Sequence, residues 1–198
     1  SEIGAISYFS GGETTFGFEL SDNVWQKGRI FIDHFAGLRL SRYRIRNYII
    51  DDEVIEASES FLVPQLGYRL EYDSGIRRTY GQIMLEASMT NNDSAEMQDF
   101  GRLRPASNWM KIGWDLTHSF YLEPVWDPQG WRDIKTPKTS TLAHELAFTT
   151  RGQWSPNRLI PQEKFSVGGL YSVRGYRQGY TSGDTVVILS GEYRYHIP

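Results

Sequence analysis

Apolar and polar side chains alternate at every second position along much of this chain, and no other feature of the sequence constrains its fold as strongly. Successive side chains of a β-strand point to opposite faces of a sheet, so a period of two predicts strands with one apolar and one polar face. The stretch 62–73 is the clearest example. Its apolar set is Leu62, Pro64, Leu66, Tyr68, Leu70 and Tyr72, and its polar set is Gln65, Gly67, Arg69, Glu71 and Asp73. We find no convincing amphipathic helix, and the pattern predicts an all-β protein with an antiparallel sheet.

The same alternation predicts roughly eight strands along the chain. They cover residues 3–9, 13–20, 30–41, 62–73, 82–89, 110–122, 142–154 and 187–197. Glycine, serine and asparagine clusters between them predict turns at 10–12, 21–23, 73–75 and 91–93. Three polar stretches, 46–58, 91–107 and 124–140, predict longer loops. We expect short turns at one end of the strands and long loops at the other, which is the arrangement of outer-membrane proteins.

Charged side chains on the polar faces favour a membrane barrel over a soluble sheet. Several predicted strands exceed the ~5–6 residues usual in soluble proteins, and a tilted membrane-spanning strand needs ~9–11. Full charges in mid-strand fit a water-filled lumen, and aromatic residues near strand ends fit the interface girdles. The candidate lumen-facing residues are Arg69, Glu71, Lys111, Asp115, Glu145, Arg151 and Arg194. The aromatic candidates are Tyr72, Tyr80, Trp109, Trp154 and Tyr195. The pattern therefore favours an antiparallel transmembrane β-barrel, with a soluble β-sandwich as the alternative.

Composition excludes several classes of function. The chain has no cysteine, which excludes disulfides, a thiol nucleophile and Cys-ligated zinc. A net charge of −3 does not indicate a partner nucleic acid. The four histidines fall on different predicted strands without ligand spacing, so we expect no metal and no cofactor. No clustered Ser/His/Asp set, nucleophile elbow or phosphate loop is present, and we expect no enzyme.

A spaced set of motifs in residues 159–194 carries a family resemblance. A lead-in Pro-x-Glu-x-Phe covers 161–165, the pair Gly168-Gly169 follows, and Val173-Arg174-Gly175-Tyr176 comes next. Gly183-Asp184 and Glu192 complete the set. This set resembles the superfamily that contains the BamA insertase and the two-partner secretion pores. The lead-in is most similar to the secretion branch, the haemolysin-activator (ShlB/FhaC/HecB) type.

The resemblance implies roles for residues of a loop that already stands out by its length. The connection 155–184 is far longer than the common ~4–6 residues, which indicates a functional loop. Glycines at 168, 169, 175 and 179 permit tight folding. The resemblance implies that the loop folds into the barrel lumen and that Arg174 pairs there with an acidic residue on a neighbouring strand. Glu192 occupies the matching position, and we expect Arg174 to pair with Glu192 in the lumen.

The resemblance also implies that the chain is a piece of a larger barrel. Complete members have about sixteen strands, and bacterial barrels close with an even number. We expect residues 1–198 to form a partial, central-to-C-terminal barrel domain. We also expect the signal peptide and the client-recognising periplasmic (POTRA) modules to lie upstream of this chain. We expect the second acidic partner usual in the family to lie on the following strand, beyond Pro198.

The expected function is an outer-membrane pore that passes an unfolded secreted partner protein to the bacterial cell surface. The expected partners are that exoprotein and the outer-membrane lipid with its lipopolysaccharide. Three alternatives stay open from the sequence. They are a BamA-like insertase or surface antigen, a passive porin, and a soluble β-sandwich binding module.

Overall fold

The protein is almost entirely antiparallel β-structure. The computed structural model describes residues 8–48, 54–89, 96–128, 142–170 and 172–197. Nine strands occur in these ranges: β1 Tyr8–Lys27, β2 Ile30–Tyr48, β3 Val54–Asp73, β4 Arg77–Ala87, β5 Met110–Tyr121, β6 His144–Trp154, β7 Phe165–Val167, β8 Thr181–Gly183 and β9 Val186–Tyr195. The α-helix of the described part, α1 Glu123–Trp126, has four residues, and no described helix could cross a membrane. Single 3-10 turns cover Glu96–Phe100 and Pro161–Glu163.

Seven strands form one sheet in the order β1-β2-β3-β4-β5-β6-β9, and the sheet is not closed. Every neighbouring pair is antiparallel. The strands β7 and β8 form a separate hairpin inside the connection between β6 and β9. A β-sandwich packs two sheets face to face, and a hairpin of three-residue strands is too small to be the second sheet. The predicted all-β fold is confirmed, as a partial barrel.

The first strand runs through two of the predicted turns. β1 pairs with β2 continuously from Tyr8 to Lys27, so residues 10–12 and 21–23 lie inside a strand. The chain absorbs the second cluster as a register shift between Asn23 and Trp25 and reverses at Gly28-Arg29. The two predicted turns were wrong because a long ladder of backbone hydrogen bonds outweighs the local preference of a few turn-forming residues.

The remaining connections match the prediction in part. The turn at 73–75 is confirmed, and its Gly75 N–H donates to the Asp73 carboxylate over 2.7 Å. The predicted loop 46–58 is shorter, because β2 and β3 already pair at Tyr48 and Val54. The turn predicted at 91–93 lies outside the described residues. The connection 122–143 was assigned to the wrong end: it joins β5 to β6 beside the short turns at 28–29 and 74–76.

The two faces of the sheet differ in chemistry. One face, here called the outer face, exposes large apolar side chains: Phe16, Phe18, Leu20, Leu38, Leu40, Leu62, Leu66, Tyr68, Ile83, Leu85, Met110, Leu116, Phe148, Trp154, Val187, Leu189, Tyr193 and Tyr195. The opposite face, here called the inner face, carries the mid-strand charges. In β3, for example, Leu62 and Leu66 are exposed, whereas Phe61, Val63 and Gly67 are buried.

The core of the protein lies on the inner face, at the end of the strands away from the short turns. It joins side chains of β2 and β3 to two loops: Tyr43, Ile45, Ala57, Phe61, Val63, Met97, Phe100, Trp109, Leu159 and Ile160. Trp109 is therefore buried, and its assignment to an interface girdle was wrong. Tyr80 pairs with Glu71 in the register and shares the inner face with it, so it is not a girdle residue either. An inner face that is polar throughout would leave nothing for these loops to pack on.

Candidate functional site

The long connection between β6 and β9 lies against the inner face. Its first part brings Leu159 and Ile160 into the core, where both are fully buried. The 3-10 turn Pro161–Glu163 follows and crosses over strands β2 and β5, whose side chains contact Glu163. The chain then enters the β7–β8 hairpin, which carries the Val173–Tyr176 motif at its tip. The Arg174 side chain at the tip reaches Glu192 of β9.

The hairpin tip closes tightly on itself around Gly168. Its φ of 116° lies in the region that favours glycine, and an added Cβ would approach the carbonyl oxygen of Arg177 to 2.2 Å. The Gly168 N–H donates to Ser172 Oγ over 2.7 Å, and the Gly169 N–H donates to the Tyr176 carbonyl over 3.1 Å. The Gly-Gly pair therefore permits the chain after β7 to cross close to the chain before β8, which a side chain at Gly168 would block.

The structure brings Arg174 and Glu192 together. Arg174 Nη2 lies 3.1 Å from Glu192 Oε1, and Glu192 Oε2 accepts from Arg194 Nη2 over 2.9 Å. One carboxylate thus serves two guanidinium groups. The Arg174 side chain is 74% exposed in the described part of the chain, and its place inside the lumen of a closed barrel stays a prediction. Among the other motif residues, Val173 is half-buried, whereas Gly175 and Tyr176 are exposed, with the Tyr176 ring 4.9 Å from that of Tyr180.

A buried attachment of the loop to the sheet is made by Glu163, the glutamate of the Pro-x-Glu-x-Phe lead-in, for which sequence analysis predicted no role of its own. Its side chain is almost fully buried, at 3% exposure. Glu163 Oε1 accepts from Tyr43 Oη over 2.9 Å and from Arg39 Nη1 over 3.1 Å. Glu163 Oε2 accepts from Lys111 Nζ over 2.7 Å and from Arg39 Nη2 over 3.2 Å. Both carboxylate oxygens of Glu163 therefore accept hydrogen bonds from side chains of β2 and β5, which belong to the sheet that forms the barrel wall.

A second carboxylate completes the charge balance of this cluster. Glu86 of β4 lies 3.1 Å from Arg39 Nη2 and 3.2 Å from Lys111 Nζ, and it accepts from Gln65 Nε2 over 2.7 Å. Two cations and two anions from β2, β4, β5 and the loop thus cancel. Buried charges are tolerated only when they are paired and hydrogen-bonded, which is the case here. We call Arg39, Glu86, Lys111 and Glu163 the anchor cluster.

The anchor cluster governs the ionisation of Glu163. Burial by itself would raise the pKa of this carboxyl. The charge of Lys111 and the hydrogen bonds and charge of Arg39 outweigh burial and hold the pKa of Glu163 below its ordinary value. The loop therefore docks with Glu163 ionised, as an anion between two cations.

The end of the connection is held by a second ion pair that joins two loops. Arg102, in the connection between β4 and β5, forms a bidentate pair with Asp184, at 2.5 and 2.7 Å. The Leu159 N–H also donates to Asp184 Oδ1, over 3.2 Å, so this carboxylate ties both ends of the loop together. Burial would raise the pKa of Asp184, but the hydrogen bonds and charge of Arg102 lower it.

The other candidate lumen residues lie on the inner face and form mostly pairs. Arg69 contacts Glu19 at 2.8 and 2.9 Å and lies over the Phe35 ring, and Arg151 lies 3.4 Å from Asp115. Glu145 contacts His196 at 2.9 Å and Arg194 at 3.8 Å. Glu71 is exposed, opposite Tyr80, and Lys111 belongs to the anchor cluster. That these residues line a pore stays a prediction.

Comparison with known proteins agrees with this architecture. The model of the family described as haemolysin secretion/activation protein ShlB/FhaC/HecB matches residues 7–197. No curated protein matches the chain. Among solved structures, CdiB from Escherichia coli is similar, with a TM-score of 0.66 and 19% sequence identity over 94% of this chain. The chain covers 31% of the length of CdiB. It belongs to the ShlB/FhaC/HecB family of haemolysin secretion/activation proteins, which are two-partner secretion transporters.

Proposed function

We propose that this chain is part of an outer-membrane pore that passes an unfolded secreted partner protein to the cell surface. The observation that carries the proposal is the position of the Val173–Tyr176 loop. It lies on the charged inner face of an antiparallel sheet whose outer face is apolar. Membership of a two-partner secretion family supports the same function. Residues 1–198 are then part of one barrel domain, and 155–184 is its lumen loop.

The outer face is the surface that we assign to the membrane. Large apolar side chains stand exposed on it, including Phe18, Leu40, Leu66 and Leu116. Water-exposed patches of this size are unfavourable, whereas hydrocarbon solvates them well. The lipid and its lipopolysaccharide are therefore proposed partners of this face, and the bacterial outer membrane is the proposed location.

The inner face is the surface that we assign to the client. Its charges are largely paired with one another, for example Arg69 with Glu19 and Asp115 with Arg151. A wall with balanced charges stays hydrated but holds no strong single-sign field, so an extended polypeptide can pass without binding tightly. No covalent chemistry is required, and the loop acts as a plug or gate across the path.

The test of this proposal is a secretion assay with the full-length protein. The variants Arg174→Ala and Glu192→Gln each remove one partner of the tip contact. The matched control is Arg78→Ala, because Arg78 also pairs with an exposed acid, Asp73, on strands that are separated from β9 by β5 and β6. Heat-modifiable gel mobility reports whether the barrel has assembled in each strain.

We expect both tip variants to lower secretion of the exoprotein about tenfold or more while the barrel still assembles. A tenfold decrease corresponds to a rise of ~1.4 kcal/mol in the activation free energy of the rate-limiting step. We expect Arg78→Ala to secrete like the wild type. Wild-type secretion from both tip variants would contradict the pore proposal. Normal secretion together with failed assembly of other outer-membrane barrels would favour the insertase instead.

A further inference from the structure

The loop between β6 and β9 is attached to the sheet at two places of different character. We call residues 159–163 the loop base, and we call β7, β8 and the described residues between them the hairpin arm. The loop base is held by the buried anchor cluster and by two core side chains, Leu159 and Ile160. At the tip of the hairpin arm, Arg174 meets Glu192 in a contact that is open to solvent.

Withdrawal of the loop base would leave charges unbalanced on the wall. Arg39 and Lys111 share two carboxylates while Glu163 is in place, and they would keep Glu86 alone after it leaves. The hydroxyl of Tyr43 would lose its acceptor as well. Breaking a buried ion network from one side is strongly unfavourable, because the remaining charges are poorly solvated.

Withdrawal of the hairpin arm leaves no comparable imbalance at its tip. Glu192 gives one carboxylate oxygen to Arg174 and the other to Arg194, so it keeps a cation when Arg174 leaves. The Arg174 side chain is already 74% exposed, so its hydration changes little when it leaves Glu192. Exposed ion pairs of this kind contribute little to stability.

The C-terminal end of the connection is fixed to the same place as its beginning. Asp184 accepts from the Leu159 N–H and pairs with Arg102, and its carbonyl accepts from Gln153 Nε2 of β6. Gln153 Nε2 also donates to the Glu163 carbonyl. Both ends of the hairpin arm therefore start from one fixed point on the wall.

From this asymmetry we propose that Glu163 is the positioning residue of the loop, about which the hairpin arm swings while the loop base stays docked. The bearing of this motion on secretion rests on the pore function proposed above. The motion itself belongs to the folded protein and can be measured without a client.

The experiment is hydrogen exchange on the purified full-length protein in detergent, followed by peptides from the loop base and from the hairpin arm. In the wild type we expect the loop base to exchange about 100-fold more slowly than the hairpin arm. Arg174→Ala is expected to speed exchange in the hairpin arm and to leave the loop base unchanged. Glu163→Gln is expected to speed exchange in both. The matched control is Glu56→Gln, which makes the same substitution in an exposed ion pair with Arg46.

A double variant separates charge balance from a loss of packing. Glu163→Gln with Lys111→Met removes one anion and one cation, so Arg39 and Glu86 remain as a balanced pair. We expect this variant to regain protection of the loop base to within about threefold of the wild type. A variant damaged only in its packing would not recover when a second residue is removed.

Two results would overturn the inference. One is a loop base that exchanges as fast as the hairpin arm in the wild type. The other is an Arg174→Ala variant in which both segments lose protection together, since the loop would then move as one body. Neither result depends on secretion, and failure of the secretion assay would leave the exchange result intact. The two proposals can therefore fail separately.

Discussion

A carboxylate buried between two cations behaves differently from one that meets its cations in water, and this loop carries both kinds. Glu163 is enclosed by Arg39, Lys111 and Tyr43, whereas Glu192 meets Arg174 and Arg194 at an open surface. The buried carboxylate holds the loop in one position, because separating it from its cations would leave unpaired charges in poorly solvated surroundings. The exposed carboxylate can exchange partners, because water hydrates the separated charges about as well as the ion pair does.

Acid is expected to loosen the docked loop. The pKa values of Glu163 and Asp184 lie below their ordinary values of 4.5 and 3.8 in the folded protein. Their contribution to stability is therefore complete above those ordinary values and is lost as the pH falls through the lowered folded values. Hydrogen exchange of the loop in the detergent-solubilised full-length protein, corrected for the intrinsic pH dependence of exchange, should stay slow down to about pH 4.5 and accelerate below it.

The variant Glu163→Gln is the control for this pH profile. With one of the two carboxyls removed, the increase in corrected exchange below pH 4.5 should be shallower than in the wild type. Loosening that begins as the pH rises from neutrality, or an identical profile in the variant, would show that these carboxyls do not hold the loop.

At the scale of single elements, periodicity predicted strands well and turns poorly. The alternation in 62–73 predicted the C-terminal half of β3 with the correct apolar face. The alternation in 110–122 predicted β5 with nearly the bounds that the structure shows. β1 was split in two, because Gly11, Gly12 and Asn23 resemble a turn locally but are paired across to β2. The local turn preference of these residues is weaker than the backbone hydrogen bonds of a long ladder. β2 and β3 share nineteen paired positions, and β1 pairs with β2 over a ladder of similar length.

The candidate site was predictable at its tip and not at its base. The motif Val173–Tyr176 and its acidic partner at 192 were predicted through the family resemblance, whereas the lead-in motif contains Glu163 but does not indicate its partners. The anchor cluster joins residues from β2, β4, β5 and the loop, more than 120 positions apart for Arg39 and Glu163. Arg39, Glu86 and Lys111 lie on three different strands, and only the register from β2 to β5 brings them together around Glu163.

The tight crossing at Gly168 should be the most sensitive point of the hairpin arm. Gly168→Ala places a Cβ 2.2 Å from the Arg177 carbonyl oxygen at a φ of 116°, so the crossing must open. We expect a loss of about 1–3 kcal/mol in the local stability of the hairpin. Hydrogen exchange at the tip measures it.

Gly175→Ala is the matched control for that prediction. Gly175 also has a positive φ, 91°, but an added Cβ meets nothing within 4 Å. Its cost should be limited to backbone strain of about 1 kcal/mol. Equal effects of the two substitutions would mean that close approach at Gly168 does not matter.

At the scale of the whole molecule, the two faces of one sheet suit different surroundings. The outer face is apolar and exposed, and the inner face is charged, paired and partly covered by the loop. The core is small and one-sided, since it lies between the inner face and the loops at one end of the strands. Such a sheet needs an apolar medium on its other side, which is the physical reason for assigning the outer face to lipid.

A charge on the outer face should therefore prevent assembly, and a charge on the inner face should not. Leu66→Arg in the full-length protein introduces a cation at an exposed outer position, with an expected cost of about 2–4 kcal/mol at the bilayer midplane. Thr117→Arg places the same side chain on the inner face, beside Thr149. Heat-modifiable mobility should be lost or reduced in the first and retained in the second. The reverse order would exchange the assignment of the two faces.

The measurement that tests the central claim most directly is crosslinking of a client arrested during secretion to the full-length protein. A photoreactive residue is placed at Thr117 on the inner face or at the adjacent Leu116 on the outer face. The proposed path predicts client adducts from position 117 and none above background from position 116. Equal adducts from both positions, or capture of other barrel proteins from position 116 with no client at position 117, would contradict transport along the inner face.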